Sequence, residues 1–329
     1  MKRTGYIVLS IGIVIVSGCT KDVDLPVEGL TPKIVINSII DMRSDTNLIK
    51  VSESVSVFSD SKAGIVEDLD LQLSINGTVC DNLTLDTIID IHKYYQFVSP
   101  IQPGDKLEIV AHTPIHEIVK GYDIAPDNTV EIKGINHSWF KKDGWNYLRL
   151  YVTLKDDPHV RNFYRIIIKA YTKQQGGTPL GPYTRYTVYP SINELDGDWS
   201  YRKVFVDDEM LFKSPTEQEE DSRDPFYFKI FTDELFQGKE YTLNVYIQYD
   251  DYYNDPYSDY VRQFVKVEIH SLSEKLYRNL HSQELAFGTM NDLFYEQVKL
   301  YTNMQGGYGI LGIYNGVKKI KLVGEKEKI

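Results

Sequence analysis

The chain has 329 residues, a formal net charge of −11, two cysteines and 25 tyrosines. That length suffices for two ordinary domains, and the acidic balance argues against nucleic acid, whose phosphates demand clustered Lys and Arg. It argues equally against docking by charge onto an anionic lipid surface. Many tyrosines lie in or beside strand-like runs, where an amphipathic ring suits a half-buried sheet. Others crowd loops and could form a contact surface, because tyrosine offers rigid area at small entropic cost.

Met1-Lys2-Arg3 gives a positive start, and Tyr6 to Val16 a short, mostly apolar run. Such a run has the length of a signal-peptide core and falls short of the ~20 residues a spanning helix needs. Val16-Ser17-Gly18-Cys19 follows and resembles a bacterial lipobox. In that reading residues 1–18 are removed and Cys19 carries the lipid, an outer-membrane anchor. The alternative is an ordinary secretory peptide that happens to hold a cysteine. Loss of residues 1–18 takes Lys2 and Arg3 and no acid, which moves the formal charge from −11 to −13. With Cys19 acylated, Cys80 has no partner for a disulfide, and it reads as a small buried apolar residue. Residues 19–31 form a polar tether, in which Lys21-Asp22-Val23-Asp24 is similar to the acidic export signal of Bacteroidota surface lipoproteins. Thr20 to Thr31 could extend to roughly 40 Å at ~3.3–3.6 Å per residue. Cell-surface placement is expected, with the periplasmic face as the alternative.

From Pro32 the texture is β. Lys33 to Ile40 is an apolar run of strand length, Leu48 to Phe58 alternates from Val51, and Leu69 to Ile75 has strict period two before Asn76-Gly77, a hairpin signal. Lys93 to Val98 and Lys106 to Ala111 are further strands around the turn at Pro103-Gly104-Asp105. Short strands broken by regular turn signals predict an immunoglobulin-like β-sandwich over 32–126.

Residues 127–329 are expected to form a second β-rich domain. Trp145 to Leu154 sets Tyr147, Arg149, Tyr151 and Thr153 against Leu148, Leu150, Val152 and Leu154. Asp156-Asp157-Pro158 turns the chain, Asn162 to Tyr171 returns it, and the acidic stretch 207–224 reads as a solvated insertion. Phe226 to Phe231 and Tyr241 to Tyr249 are strands. One helix is expected near 271–287, with Ser271 and Glu274 as its capping box, Leu272, Leu276 and Leu280 on one face, and Gly288 as terminator. The fold class is thus mainly β: two sandwich-like domains, the second with one late helix.

Four segments carry a wider likeness. They are Val152 to Pro158 with Asn162-Phe163-Tyr164-Arg165; Phe231 to Lys239; Ser271 to Tyr277; and Leu300 to Met304 with Gly306-Gly307-Tyr308-Gly309-Ile310-Leu311-Gly312. Together they resemble the Bacteroidota lipoproteins catalogued as domain of unknown function 4249. Departures are Gln297, where proline is expected, and Leu311-Gly312 in place of an aromatic-rich ending. The resemblance implies a surface or periplasmic lipoprotein, often encoded beside a TonB-dependent outer-membrane transporter, and it carries no catalytic residues to transfer.

Gly307 to Gly312 spells GxGxxG, but the dinucleotide unit needs a following helix, a second strand and an acid about twenty residues on. The chain after Gly312 is too short for that, so a tight turn or bulge between strands is the better reading. His112 and His116 are four apart, as in a helical zinc pair, yet Pro114 lies between them and the stretch reads as strand end and loop. No metal or cofactor is expected. The stretch 249–260 mixes Tyr249, Tyr252, Tyr253, Tyr257 and Tyr260 with four aspartates at spacings unlike an EF-hand. It is the first candidate contact surface, with Tyr183, Tyr186 and Tyr189 next, and a solvated loop with stray aromatics is the alternative. The expected function is non-enzymatic: an accessory of a TonB-dependent transporter that captures a small-molecule, glycan or peptide ligand or covers the transporter's mouth. The alternatives are a surface hydrolase acting on glycan or peptide and a purely adhesive protein.

Overall fold

The computed structural model describes residues 31–55, 64–127, 130–156, 161–175, 199–206, 210–212, 226–249, 260–289 and 298–327. In chain order the first half holds β1 (Ile34–Asp41), β2 (Asn47–Glu53), β3 (Asp70–Ile75), β4 (Thr78–Val79), β5 (Thr84–Ile89), β6 (His92–Phe97), β7 (Lys106–His112) and β8 (Val119–Ile124). The strands β1-β2-β6-β5 lie side by side in one sheet and β8-β7-β3-β4 in another. Lettered from the first strand, these are the A-B-E-D and G-F-C-C′ orders of an immunoglobulin-type sandwich. Asn76 and Gly77 both have positive φ, 51° and 81°, as a two-residue hairpin turn requires. Between the sheets Ile34, Ile36, Ile49, Leu73, Leu107 and Ile109 are fully buried.

The chain leaves this core at Ala125 and enters a second at Val130. Here β9 (Glu131–Lys142), β10 (Trp145–Lys155), β13 (Phe205–Val206) and β15 (Glu240–Gln248) make a four-stranded sheet in the order β13-β15-β10-β9. It packs against β11 (Phe163–Gln175), β12 (Ser200–Arg202), β14 (Phe228–Thr232) and β16 (Tyr260–Leu272). The alternation expected for Trp145 to Leu154 holds: Leu148, Leu150, Val152 and Leu154 are all 0 % exposed. Each such side chain contributes roughly 2 kcal/mol of burial.

One α-helix lies among the described residues, α1 (Glu274–Thr289). It begins later than the sequence suggested, because Ser271 belongs to the end of β16. The cap is Ser273, whose Oγ accepts the Leu276 amide at 3.2 Å. Leu276 and Leu280 are buried beside Leu272 and Ile230. No helix among the described residues is long and apolar enough to cross a membrane.

After β17 (Met304–Gln305), which extends the β8 edge, the chain closes with β18 (Tyr308–Glu327). The first third of β18 pairs in parallel with β1, Val35 opposite Tyr308 through Asp41 opposite Tyr314. The rest pairs antiparallel with β16, Leu272 opposite Tyr314 through Tyr260 opposite Glu327. A single strand therefore makes one sheet of nine strands that serves both sandwiches. Met304, Leu311 and Ile313 return from the C-terminal region to the first core. The GxGxxG stretch and the glycine before it are the device that permits this. Gly306 turns with φ 78°, Gly309 lies in β18 with φ 103°, and a Cβ at Gly309 would run into the Ile36 carbonyl of β1.

Candidate contact surface

The residues that carried the family likeness fasten the fold. Asp156 Oδ1 accepts from Asn162 Nδ2 at 2.9 Å and from the Tyr164 hydroxyl, while Oδ2 accepts the Gly238 amide at 3.2 Å. Asp233 lies beside it; burial, and then the Asp156 charge, push its carboxyl above the usual carboxylate range. Two converging carboxylates are the geometry hydrolysis would use, but Asp156 is 4 % and Asp233 1 % exposed, and this pair ties the end of β10 to the β14–β15 turn. Asn303 does similar work at the other end of the chain. Its side chain exchanges two hydrogen bonds with the Leu311 backbone, at 2.8 and 3.0 Å, and donates to Tyr122 O at 3.0 Å.

Two further polar nodes hold β18. Asp123 Oδ2 accepts from the Ser273 hydroxyl and from the Ile313 amide at 3.1 Å, and Oδ1 accepts the Ile124 amide at 2.9 Å. Burial among mostly neutral donors pushes its pKa up to about 6. On the outer face of the large sheet, Arg165 Nη2 stands 2.8 Å from His270 Nδ1, and His270 Nε2 lies 3.6 Å from Glu268, which also accepts Lys169 Nζ at 3.1 Å. Burial works against the Glu268 charge, but the hydrogen bonds of His270 and Lys169 outweigh it and hold the pKa down at about 2. Burial and the neighbouring Arg165 lower the His270 pKa, so the ring is neutral at pH 7 and accepts from the guanidinium.

Of the sequence candidates, Tyr249 needs correction. It is 1 % exposed, its hydroxyl lies within hydrogen-bonding distance of the carbonyls of Tyr171 and Phe264, and its ring meets Trp139 edge-on at 5.6 Å. It is a core tyrosine with a satisfied hydroxyl and presents nothing to a partner. Tyr260 opens β16, opposite Gln175 and Glu327. Tyr252, Tyr253, Tyr257, Tyr183, Tyr186, Tyr189 and Cys19 lie outside the described residues, as does most of the acidic stretch 207–224. His116 is locked between Glu53 Oε1 at 2.8 Å and Thr113 Oγ1 at 2.7 Å, while His112 closes β7 with an exposed side chain. No group of three or more His, Cys, Asp or Glu among the described residues could hold a metal ion.

The surface that sequence reasoning half found is the outward face of the four-stranded sheet. Because Leu148 to Leu154 point inward at every second residue, Trp145, Tyr147, Arg149 and Tyr151 point outward. Register then sets Phe140 and Gln248 beside Tyr147, and Ser138, Tyr246 and Phe205 beside Arg149 or one strand further on. Phe140 stacks on Tyr147 at 5.4 Å and Phe205 on Tyr246 at 5.4 Å, with Tyr147 edge-on to Tyr246 at 5.6 Å. The Arg149 guanidinium lies 4.8 Å from the Phe140 ring centre, and Lys142 Nζ lies 5.6 Å from that of Tyr246. Trp145, 59 % exposed, stands at the hairpin tip beside Asp143-Gly144. Aromatic pairs add about 0.5–1.5 kcal/mol beyond their area, so the half-buried rings of Phe140, Tyr147 and Phe205 form a pre-ordered platform, with cations set among them and Tyr246, 2 % exposed, buried beneath as its support. The alternation of β10 was readable in the sequence; the cross-strand partners Phe140, Tyr246 and Phe205 depend on register and were not.

The model of the family described as Domain of unknown function (DUF4249) matches residues 20–320. No curated protein matches the chain.

Proposed function

The chain belongs to the DUF4249 family, and from that premise we propose that it is a lipid-anchored outer-membrane protein that works by contact. It acts as an accessory of a TonB-dependent transporter, capturing the ligand or covering the transporter's mouth. The lipid on Cys19 confines it to the transporter's plane, where a high effective concentration strengthens even a weak contact. The observation that carries this reading is the outward platform of the half-buried Phe140, Tyr147, Arg149 and Phe205, packed over the buried Tyr246 ring. Aromatic and arginine side chains of this kind supply most of the binding energy at protein interfaces.

The test is affinity capture from native membranes after mild cross-linking. The wild-type protein should enrich an outer-membrane transporter, and a Tyr147→Ala/Arg149→Ala variant should recover at least tenfold less, the change expected of one hot-spot pair at ~1.4 kcal/mol per decade. Capture with no transporter, or with equal yield from the variant, contradicts the proposal.

A further inference from the structure

We propose that the pole of the first sandwich at which the chain enters β1 is a membrane-contact surface, seated at the headgroup–acyl boundary of the leaflet that holds the Cys19 lipid. This rests on the anchoring proposed above. The loop between β7 and β8 carries Ile115, 85 % exposed, and Ile118, 50 % exposed. The loop is not slack, since His116 is pinned on both ring nitrogens by Glu53 and Thr113, so Ile115 is held out in a fixed position. Lys33 joins the same patch: its Nζ lies 3.4 Å from Glu117 and 5.9 Å from the ring centre of Tyr308, which is 47 % exposed. Ser54 donates its amide to Lys33 O at 2.8 Å, and this brings the exposed Val55 to the same rim.

The tether says what covers this patch. Residues 20–31 lead from Cys19 to Pro32 and Lys33, and they reach at most roughly 40 Å even fully extended, so this pole is the part of the described body tied nearest the bilayer. Its composition fits an interface. Isoleucines enter the acyl boundary, a tyrosine sits at headgroup level, and a lysine stem lies along the apolar surface with its head in water. At the rim Lys33 pairs with Glu117, and the Glu53 carboxylate is hydrogen-bonded to the His116 ring. The contact is therefore apolar and does not draw on attraction to anionic lipid, which an acidic protein could not use.

The test places a nitroxide on Ile115→Cys in the full acylated chain carrying Cys80→Ser, reconstituted in phosphatidylethanolamine–phosphatidylglycerol vesicles. A label on the exposed Lys141→Cys, in β9 of the second sandwich, is the aqueous control. Ile115 faces outward, so labelling should leave the thermal midpoint unchanged. The result expected is several-fold greater collision with oxygen than with a water-soluble nickel chelate at position 115, and the reverse at 141. Equal aqueous access at the two positions overturns the membrane contact. So does shielding of position 115 in native membranes but not in lipid vesicles, which assigns the pole to a protein neighbour. The mass of the N-terminal peptide from the same preparation separates the two claims: a bare Cys19 sinks both, whereas an acylated chain with a wet Ile115 sinks this one alone.

Discussion

Two carboxylates fasten the same closing sheet and are held by opposite physics. Asp123, 2 % exposed, is gripped at the seam between β8, α1 and β18 by a hydroxyl and two backbone amides, and burial dominates, so its pKa rises to about 6. Glu268, one strand from β18, faces Lys169 and the Arg165–His270 pair, and its pKa falls to about 2. The difference teaches that hydrogen bonds do not by themselves fix the protonation state of a buried acid: at Asp123 burial outweighs them, whereas at the less buried Glu268 the bonds from His270 and Lys169, with the Lys169 charge, outweigh burial. The first sandwich is thus joined to the helix by a carboxyl that favours its proton when folded and the second is braced by one that resists it, and the two should respond to acidity in opposite ways.

The largest expected effect separates the halves at β18. Gly309→Val adds a side chain where φ is 103° and where the Ile36 carbonyl leaves no room, which should cost about 4 kcal/mol. Hydrogen exchange should show β1 and β8 losing protection before β10 and β15; equal loss everywhere would mean that the sandwiches open as one unit. Leu150→Ala empties a site of 0 % exposure in the second core and should cost about 3 kcal/mol in urea unfolding, with the reverse order of opening.

Acidity sharpens the comparison without a mutation. Asp123 binds its proton more tightly folded, at about 6 against an ordinary 3.8, so its contribution is complete below the lower value and is lost as pH rises through the higher one. Lowering pH from 7 to 4 should therefore strengthen the β8–α1–β18 seam by at most about 3 kcal/mol at 1.36 per pKa unit. Glu268 runs the other way: its contribution is present above 4.5 and is lost as pH falls toward about 2. Rate-corrected exchange of the Ile313 and Leu276 amides should slow between pH 7 and 4, while amides of β11 and β16 should quicken below 4.5. The smallest expected effect is Glu268→Gln, which should cost about 1–3 kcal/mol by leaving cations short of a counter-charge and should abolish the acid-induced loss on β16.

The β architecture was legible because its signals are local. Asn76-Gly77, the alternation from Trp145 to Leu154 and the leucines of α1 each fixed an element by short-range pattern. The central strands β16 and β18 were not read, although Val265, Val267 and Ile269 alternate with Lys266 and Glu268 at period two; the partners that make them central are supplied by distant strands. The turn Asp143-Gly144, both with positive φ, carried a hairpin signal that could have paired β9 with β10 and so drawn Phe140 beside Tyr147. The Ser271–Glu274 spacing spells a capping box, but β16 runs on through Leu272, and the true start is set by the hydroxyl that finds the Leu276 amide, that of Ser273. Tyr249 shows the limit of reading loops by composition: a tyrosine next to an acidic run was buried by its strand.

The claim on which the functional account depends is that the mature chain is held at a membrane through Cys19. Mass spectrometry of the N-terminal peptide taken from intact cell envelopes tests it most directly. The account predicts a chain that begins at Cys19 and carries a diacylglyceryl thioether and an acylated amine. A chain that is cut elsewhere, keeps a free Cys19 thiol and is recovered from the medium contradicts it.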